Sequence, residues 1–346
     1  MRVKLKCICL LNVSMLTTFF TVFIYTPVYN ETFKDTIIFN GSTTHIDKAD
    51  NICGETPLNY IRSIIPEFRT KKINRTAECI ITAFDRSHEA EASSMIISMT
   101  QDCYRARLLI YDFGISNEYT SVFVANHYIE LISVPQVIPD FARTFERHNK
   151  GFKPFVIADA IARGCETVYW ADASTRSNGL CTNGVLFEKK ISLMYMNLSN
   201  REYTHPAMYR FFTTTRADDD SMQFESGNIL FNTSYTFSLD ILCRWMYCCM
   251  QKQCVLPDGA LIKPFFYIPV IFNGFKYRVH RDDQSALNLA LLDAIKFRNM
   301  TTDIGMLNAR VRGHATDVMS SHELSDMLGT VQKLEYSEKG MGIDIQ

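Results

Sequence analysis

Between Lys153 and Ser174 the chain carries its most restrictive pattern: a punctuated helix, an apolar run, then an acid. Pro154 suits the first turn of a helix, and Gly164 suits the position just past its end. Phe155, Ile157, Ala158, Ile161 and Ala162 give that helix an apolar face. Thr167-Val168-Tyr169-Trp170-Ala171 lacks the polar alternation of a half-exposed strand, so it reads as a strand buried on both faces. Such a strand needs helices on both sides of a parallel sheet. The run delivers Asp172-Ala173-Ser174 at its carboxyl end, where ligands bind in open α/β sheets.

The flanking segments fit the same plan. Cys79 to Phe84 is another short apolar run. Glu89 to Thr100 follows as a helix, with Ala92, Met95, Ile96 and Met99 on one face. Leu108 to Tyr111 is a second strand ending in Asp112-Phe113-Gly114, and Ile129 to Val134 is a third. Strand–helix–strand units of this length imply right-handed crossovers and a parallel sheet. Gly227 to Phe231 reads as a strand, with Asn232-Thr233-Ser234 capping a helix whose apolar face is Phe237, Ile241, Leu242, Trp245 and Cys249. His280 to Asn288 opens a last helix running to about Phe297. The expected fold class is α/β, Rossmann-like, with a mainly parallel central sheet flanked by helices.

The N-terminus is of another kind. Met1 to Lys6 is basic, and Cys7 to Asn30 contains no charged residue. At ~1.5 Å per residue this stretch spans a ~30 Å hydrocarbon core. The basic flank favours a cytoplasmic N-terminus. The reading is a cytoplasmic tail (1–6), a signal-anchor helix (7–29), a stem (30–76), a lumenal domain (77–300) and a C-terminal extension (301–346). A signal peptide cleaved near Tyr25 is the rival, and it would make the protein secreted. Acceptor patterns for N-glycosylation at Asn30, Asn40, Asn74, Asn197, Asn232 and Asn299 suit a lumenal domain. Of these, Asn197 and Asn232 are expected to be buried and unmodified.

Eleven cysteines are present, and nine of them lie outside the anchor: Cys53, Cys79, Cys103, Cys165, Cys181, Cys243, Cys248, Cys249 and Cys254. In an oxidising compartment several disulfides are expected, and an odd count leaves one thiol over. The Cys243–Cys254 cluster lacks the Cys-x-x-Cys spacing of a zinc site. With 36 basic and 37 acidic residues the net charge is −1, so charge gives no case for a nucleic-acid partner.

Several constellations could carry chemistry. A nucleotide-sugar transferase holds a divalent ion on a strand-end carboxylate and bridges it to the diphosphate. Asp172 stands in that place, and Ser174 stands where a second Asp is common. The competing reading is a strand-ending turn in which Asp172 bonds local backbone. Asp218-Asp219-Asp220 also contains an Asp-x-Asp, a candidate metal pair, but a run of acids in polar sequence reads first as a solvated loop. His280-Arg281-Asp282-Asp283-Gln284 starts a helix, where acids cap and hydroxyl-rich or anionic ligands also bind. Glu225, ahead of Gly227, is a candidate base or acceptor-binding carboxylate, or an exposed acid. Lys153 is a candidate phosphate contact or a surface lysine. His205 and His314 are candidate third metal ligands or ordinary polar residues. Gly-x-Ser-x-Gly, Gly-x-x-x-x-Gly-Lys and Gly-x-Gly-x-x-Gly do not occur, which argues against a serine hydrolase of that type, a P-loop enzyme and a typical dinucleotide oxidoreductase.

The strings Ile81-Thr82-Ala83-Phe84, Tyr111-Asp112-Phe113-Gly114, Phe152-Lys153-Pro154, Trp170-Ala171-Asp172-Ala173-Ser174, Thr204-His205-Pro206-Ala207-Met208-Tyr209, Glu225-Ser226-Gly227-Asn228 and His280 to Asn288 occur in this order. Together they resemble an uncharacterised, nematode-rich family of type II membrane proteins whose domain is similar to GT-A glycosyltransferases. The resemblance runs from about Ala77 to Phe297. It implies a GT-A domain in a Golgi-type membrane protein. Its donor would be a nucleotide sugar, its acceptor a glycan or glycoprotein, and Mn or Mg its divalent metal. The resemblance implies a metal and diphosphate role for Asp172 and sugar or acceptor contacts for Asp283 and Gln284, with Ser174 a departure from the usual second Asp. The candidate set is then Thr82, Asp112, Lys153, Asp172 and Gln284 for the nucleotide sugar, Asp172 and Ser174 for the metal, and Asp283 and Glu225 for catalysis. A disulfide between Cys248 and Cys254, with Pro257 after it, is implied as well. The alternative is a non-catalytic lumenal module that binds a glycan or protein on the same fold. A structural membrane glycoprotein, bridged between chains by the odd cysteine, is the third reading.

Overall fold

A computed structural model describes residues 47–54, 56–65, 77–143, 150–177, 179, 181, 190–260, 270–272, 275–277, 280–298, 304–306, 311–312 and 319–340. The expected tail and signal anchor lie outside the described residues, as do Asn30, Asn40, Asn74, Asn299 and His314. All described residues belong to one compact unit that begins at Thr44. No helix among them is long and apolar enough to cross a membrane.

The strands are β1 (Ala77–Phe84), β2 (Arg107–Asp112), β3 (Ile129–Ser133), β4 (Cys165–Ala171), β5 (Thr175–Arg176), β6 (Ile191–Ser199), β7 (Met222–Asn232), β8 (Val270–Phe272), β9 (Phe275–Tyr277), β10 (Ile304–Met306) and β11 (Val311–Arg312). The helices are α1 (Ala49–Cys53), α2 (Pro57–Ile64), α3 (Glu89–Asp102), α4 (Asn117–Val124), α5 (Lys153–Ala162), α6 (Asn200–Tyr203), α7 (Thr236–Met250), α8 (Lys252–Val255), α9 (Asp282–Arg298) and α10 (Ser321–Gly340). Seven strands form the central sheet in the order β10-β6-β7-β4-β1-β2-β3. Within it β7 alone runs against its neighbours, β4 and β6. The other pairs are parallel. This is the mainly parallel, helix-flanked α/β sheet expected from the apolar runs.

Alternation along β1 shows the layering. Cys79, Ile81 and Ala83 join one core cluster, with α5, α7 and α9. Ile80 and Phe84 join the other, with α3 and Leu324 and Leu328 of α10. Helices therefore cover both faces, which is why the strands show no polar alternation. The chain runs β1, β2, β3 outward and then returns to place β4 beside β1. That reversal opens a crevice between the carboxyl ends of β1 and β4, the usual place for a ligand in such sheets.

Four details go beyond what the sequence reading specifies. Residues 49–64, read as stem, pack on the domain: Ala49, Cys53 and Ile61 are buried in the core, and Cys53 is bonded to Cys243. The 301–346 extension adds β10 to the sheet edge and lays α10 against the second core. The helix after Asn232 begins at Thr236, with no side-chain cap at Tyr235. Asn232 instead accepts the Ser234 N–H, a local turn. Every α7 residue from Phe237 to Cys249 is buried, because α1, α2 and α9 pack around it. A one-faced amphipathic reading understates such a helix.

Among the described residues four disulfides form: Cys53–Cys243, Cys79–Cys165, Cys103–Cys181 and Cys248–Cys254. Among the same residues Cys249 is a buried free thiol. Asn232 is buried and Asn197 exposed, so only the former meets the expectation of burial.

Candidate active site

The site is built where β4 ends. Asp172 continues the β4–β7 ladder through its N–H to the Gly227 carbonyl at 2.9 Å, and its own carbonyl accepts the Thr175 N–H at 2.9 Å. The turn therefore projects the Asp172 carboxylate into the crevice. Its Oδ1 accepts the Trp170 indole N–H at 2.8 Å and lies 3.1 Å from Lys153 Nζ. Oδ2 faces Gly227: a Cβ on that glycine would stand 2.8 Å from Asp172 Oδ2 and 3.1 Å from Glu225 Oε1. Gly227 is thus a point of close approach, and through it β7 brings Glu225 beside Asp172. The Asp172 side chain is 38% exposed, so the carboxylate is open to a ligand.

Lys153, at the start of α5, is buried. Its ammonium contacts Asp172 Oδ1 at 3.1 Å, Asp283 Oδ2 at 3.1 Å and the Ser226 carbonyl at 3.0 Å. The ammonium is thus ringed by protein oxygens, the Ser226 hydroxyl at 3.4 Å among them. It also stands 5.4 Å from the centre of the Trp170 ring. Burial works against its charge, yet Asp172 and Asp283 outweigh burial and hold it above its ordinary pKa. Asp283 is buried too; burial pushes its carboxyl up, but Lys153 brings it below the usual carboxylate range. Its neighbour Asp282 is driven well above that range by burial and by the Asp283 charge. Asp282 Oδ2 accepts the Lys150 N–H at 3.1 Å.

The structure brings Lys153, Asp172, Glu225 and Asp283 together. Gln284, one step along α9, donates to Gln223 Oε1 at 2.6 Å and to Met196 Sδ at 3.4 Å. Ser174 is half-buried on the turn after Asp172. Asp112 stands apart at the end of β2, where its Oδ1 accepts the N–H groups of Gly114 and Ile115 at 2.8 and 2.7 Å. Thr82 is fully buried, and its Oγ1 has no hydrogen-bond partner among the described residues. By alternation it shares the Ile80 face of β1, the face that also carries Ala171 and Tyr169.

Two acids behave otherwise than their sequence context suggests. Asp219, in the run read as a solvated loop, is buried. It accepts from Asn200 at 2.7 Å, Tyr209 at 2.6 Å and Ser221 at 2.7 Å, which makes it a hub for that loop. Asp85, just past β1, passed unnoticed in the sequence. It binds Ser87 Oγ at 2.6 Å and His88 Nδ1 at 2.7 Å. Burial opposes its charge, and these bonds bring its carboxyl below the ordinary value. Its position straight after a buried strand was the available signal.

Among the described residues no group of three or more His, Cys, Asp or Glu is placed to hold a metal ion. His205 pairs with His280 instead, ring centres 6.2 Å apart. One open oxygen on Asp172 and the Ser174 hydroxyl on its turn do not make a cage. They do fit a divalent ion that takes its other ligands from a diphosphate and water, as Mg²⁺ commonly does.

No family model matches the chain, and no curated protein does. Solved structures similar to it include the galactosyltransferase LgtC in complex with donor and acceptor sugar analogues, at 16% identity and a TM-score of 0.40, over 72% of this chain and 95% of that one. The bifunctional glycosyltransferase WbbM is similar at 10% identity and a TM-score of 0.39, over 76% of this chain and 52% of that one. The glycosyltransferase GlyE of Streptococcus pneumoniae is similar at 14% identity and a TM-score of 0.36, over 68% of this chain and 46% of that one. At such scores these are likenesses of shape alone.

Proposed function

We propose that this chain is a glycosyltransferase-like protein that takes a nucleotide-sugar donor in the β1–β4 crevice and passes the sugar to a glycan or glycoprotein. The observation that carries the reading is Asp172: a carboxylate at the switch point, held through one oxygen and open at the other. A divalent ion bound by Asp172 and Ser174 would neutralise charge on the leaving nucleotide. Glu225, 5% exposed beside Asp172, is the candidate base for an acceptor hydroxyl. Asp283 and Gln284 at the start of α9 are candidates to orient the sugar. Four disulfides support a setting in the secretory pathway, consistent with a Golgi or ER membrane protein anchored by residues 7–29.

The test is a screen of UDP- and GDP-sugars for binding, hydrolysis and transfer, with and without Mn²⁺. Binding by the wild type, lost in Asp172→Ala, supports the reading. No nucleotide bound at millimolar concentration with Mn²⁺ present ends it. A second reading, a non-catalytic lumenal module binding a glycan or protein, draws on Ser174, which stands where a second Asp is common. Stabilisation by a glycan without any response to nucleotides would favour it.

A further inference from the structure

Lys153 is an unusual resident of the proposed donor crevice, because its ammonium is buried among protein oxygens. Its side chain is 3% exposed, and its ammonium donates to Ser226 and lies at ion-pair distance from the carboxylates of Asp172 and Asp283. Removing an ammonium from water is costly before pairing returns any of it. A Met or Leu would fill the same volume under the Trp170 ring without that cost. The arrangement therefore has to be explained by what the charge holds.

What it holds is a link between two distant parts of the chain. Asp172 ends β4 and Asp283 starts α9, and both lie 3.1 Å from one nitrogen. The Trp170 indole completes the clamp: its ring flanks the ammonium, and its N–H binds the same Asp172 oxygen that Lys153 holds. With Oδ1 fixed from two directions, Oδ2 can point only toward Gly227 and Glu225. We propose that Lys153 is the positioning residue of this site: it aims the open oxygen of Asp172 and ties it to the helix start that carries Asp283 and Gln284. The proposal rests on the nucleotide-sugar reading for its ligand and on the local geometry alone for the clamp.

The test uses the full chain as Asp283→Asn and as the double variant Lys153→Met with Asp283→Asn. Removing ammonium and carboxylate together avoids the buried unpaired charge that Lys153→Met alone would leave. Two readouts are taken. UDP with Mn²⁺ is titrated by calorimetry. The double variant is expected to bind about 10- to 100-fold more weakly than Asp283→Asn, the usual loss when a ligating carboxylate loses its support. Equal affinity in the two overturns the proposal. The second readout needs no nucleotide. The chain has two tryptophans, so ¹⁵N-Trp labelling gives two indole signals. The Trp170 signal is expected to shift and to exchange faster with solvent in the double variant, because Asp172 is no longer held against it. An unchanged signal overturns the clamp. Should the wild type bind neither UDP nor GDP, the proposed function falls while the indole signal still decides the role of Lys153.

Discussion

His280 Nδ1 accepts the backbone N–H of His205 at 3.2 Å, while its Nε2–H donates to the Val255 carbonyl at 2.9 Å. Both ring nitrogens are therefore engaged by a neutral imidazole, and a second proton would break the bond from His205. Burial holds His280 down at about 4, and burial followed by the neighbouring His280 holds His205 at about 4. An unfolded histidine titrates near ~6.5. Between those values the unfolded chain binds protons that the folded chain refuses, so stability falls as pH drops through this window. For His280 the full effect, reached below about pH 4, is about 3 kcal/mol. Asp282, held above the carboxylate range, works in the opposite sense, so the difference between variants is the measure. Urea midpoints measured from pH 7 to 4 should fall more, or rise less, in the wild type than in His280→Gln, and parallel profiles would contradict the assignment.

Gly227→Ala should damage the site more than the fold. The new Cβ would stand 2.8 Å from Asp172 Oδ2. Asp172 cannot swing away freely, because Oδ1 is held by Trp170 and Lys153. We expect at least a tenfold loss of UDP·Mn²⁺ affinity with a melting temperature within a few degrees of wild type. Unchanged affinity would show that the open oxygen of Asp172 takes no part in binding.

Arg244→Met should be among the most destabilising single changes. Arg244 is fully buried and pairs with Asp240 at 2.8 Å, with Asp293 at 3.5 Å and with Asp50. Removing it strands carboxylates in the core and costs about 3–5 kcal/mol. Arg298→Ala, which removes the more exposed partner of Asp240, should cost less. Denaturant titration of the two variants orders them, and the reverse order would refute this account of the network.

Cys249 should stay unreactive in the native chain. It is fully buried, and burial, with the charges of Asp283 and Asp282, pushes its thiol well above the ordinary value. Thiolate is the reactive form, so both access and ionisation are denied. Alkylation followed by mass spectrometry should label the Cys249 peptide only after unfolding. Labelling under native conditions would place this part of α7 at the surface.

Much of the sheet was legible because its strands are buried on both faces. Thr167 to Ala171 and Cys79 to Phe84 show near-continuous apolar runs, and both are central strands. The extent of β7 was not legible: Met222 to Ser226 forms no continuous apolar run, and its pairing is made by β6 and by Asn288, which binds both the N–H and the carbonyl of Phe224. The meeting of Asp172, Glu225 and Asp283 could be suspected only from their places at strand and helix ends. Lys153 read more readily as a surface lysine than as a phosphate contact, because nothing local to Phe152-Lys153-Pro154 reveals two carboxylates arriving from β4 and α9. The packing of α1 and α2 was hidden for the same reason, since Asp50 and Cys53 find Arg244 and Cys243 nearly two hundred residues away.

The Cys79–Cys165 bridge joins β1 to β4 near their amino ends, opposite the crevice. Parallel neighbours are otherwise tied only by hydrogen bonds and by the long excursion through α3, β2, α4, β3 and α5. The covalent stop means that this seam can fray from one end alone, the end that carries Asp172. A molecule lodged there would pin the free end while the bridge pins the other. Pulled apart mechanically, the liganded seam should therefore resist like a zip stopped at both ends, and after reduction it should open from the base.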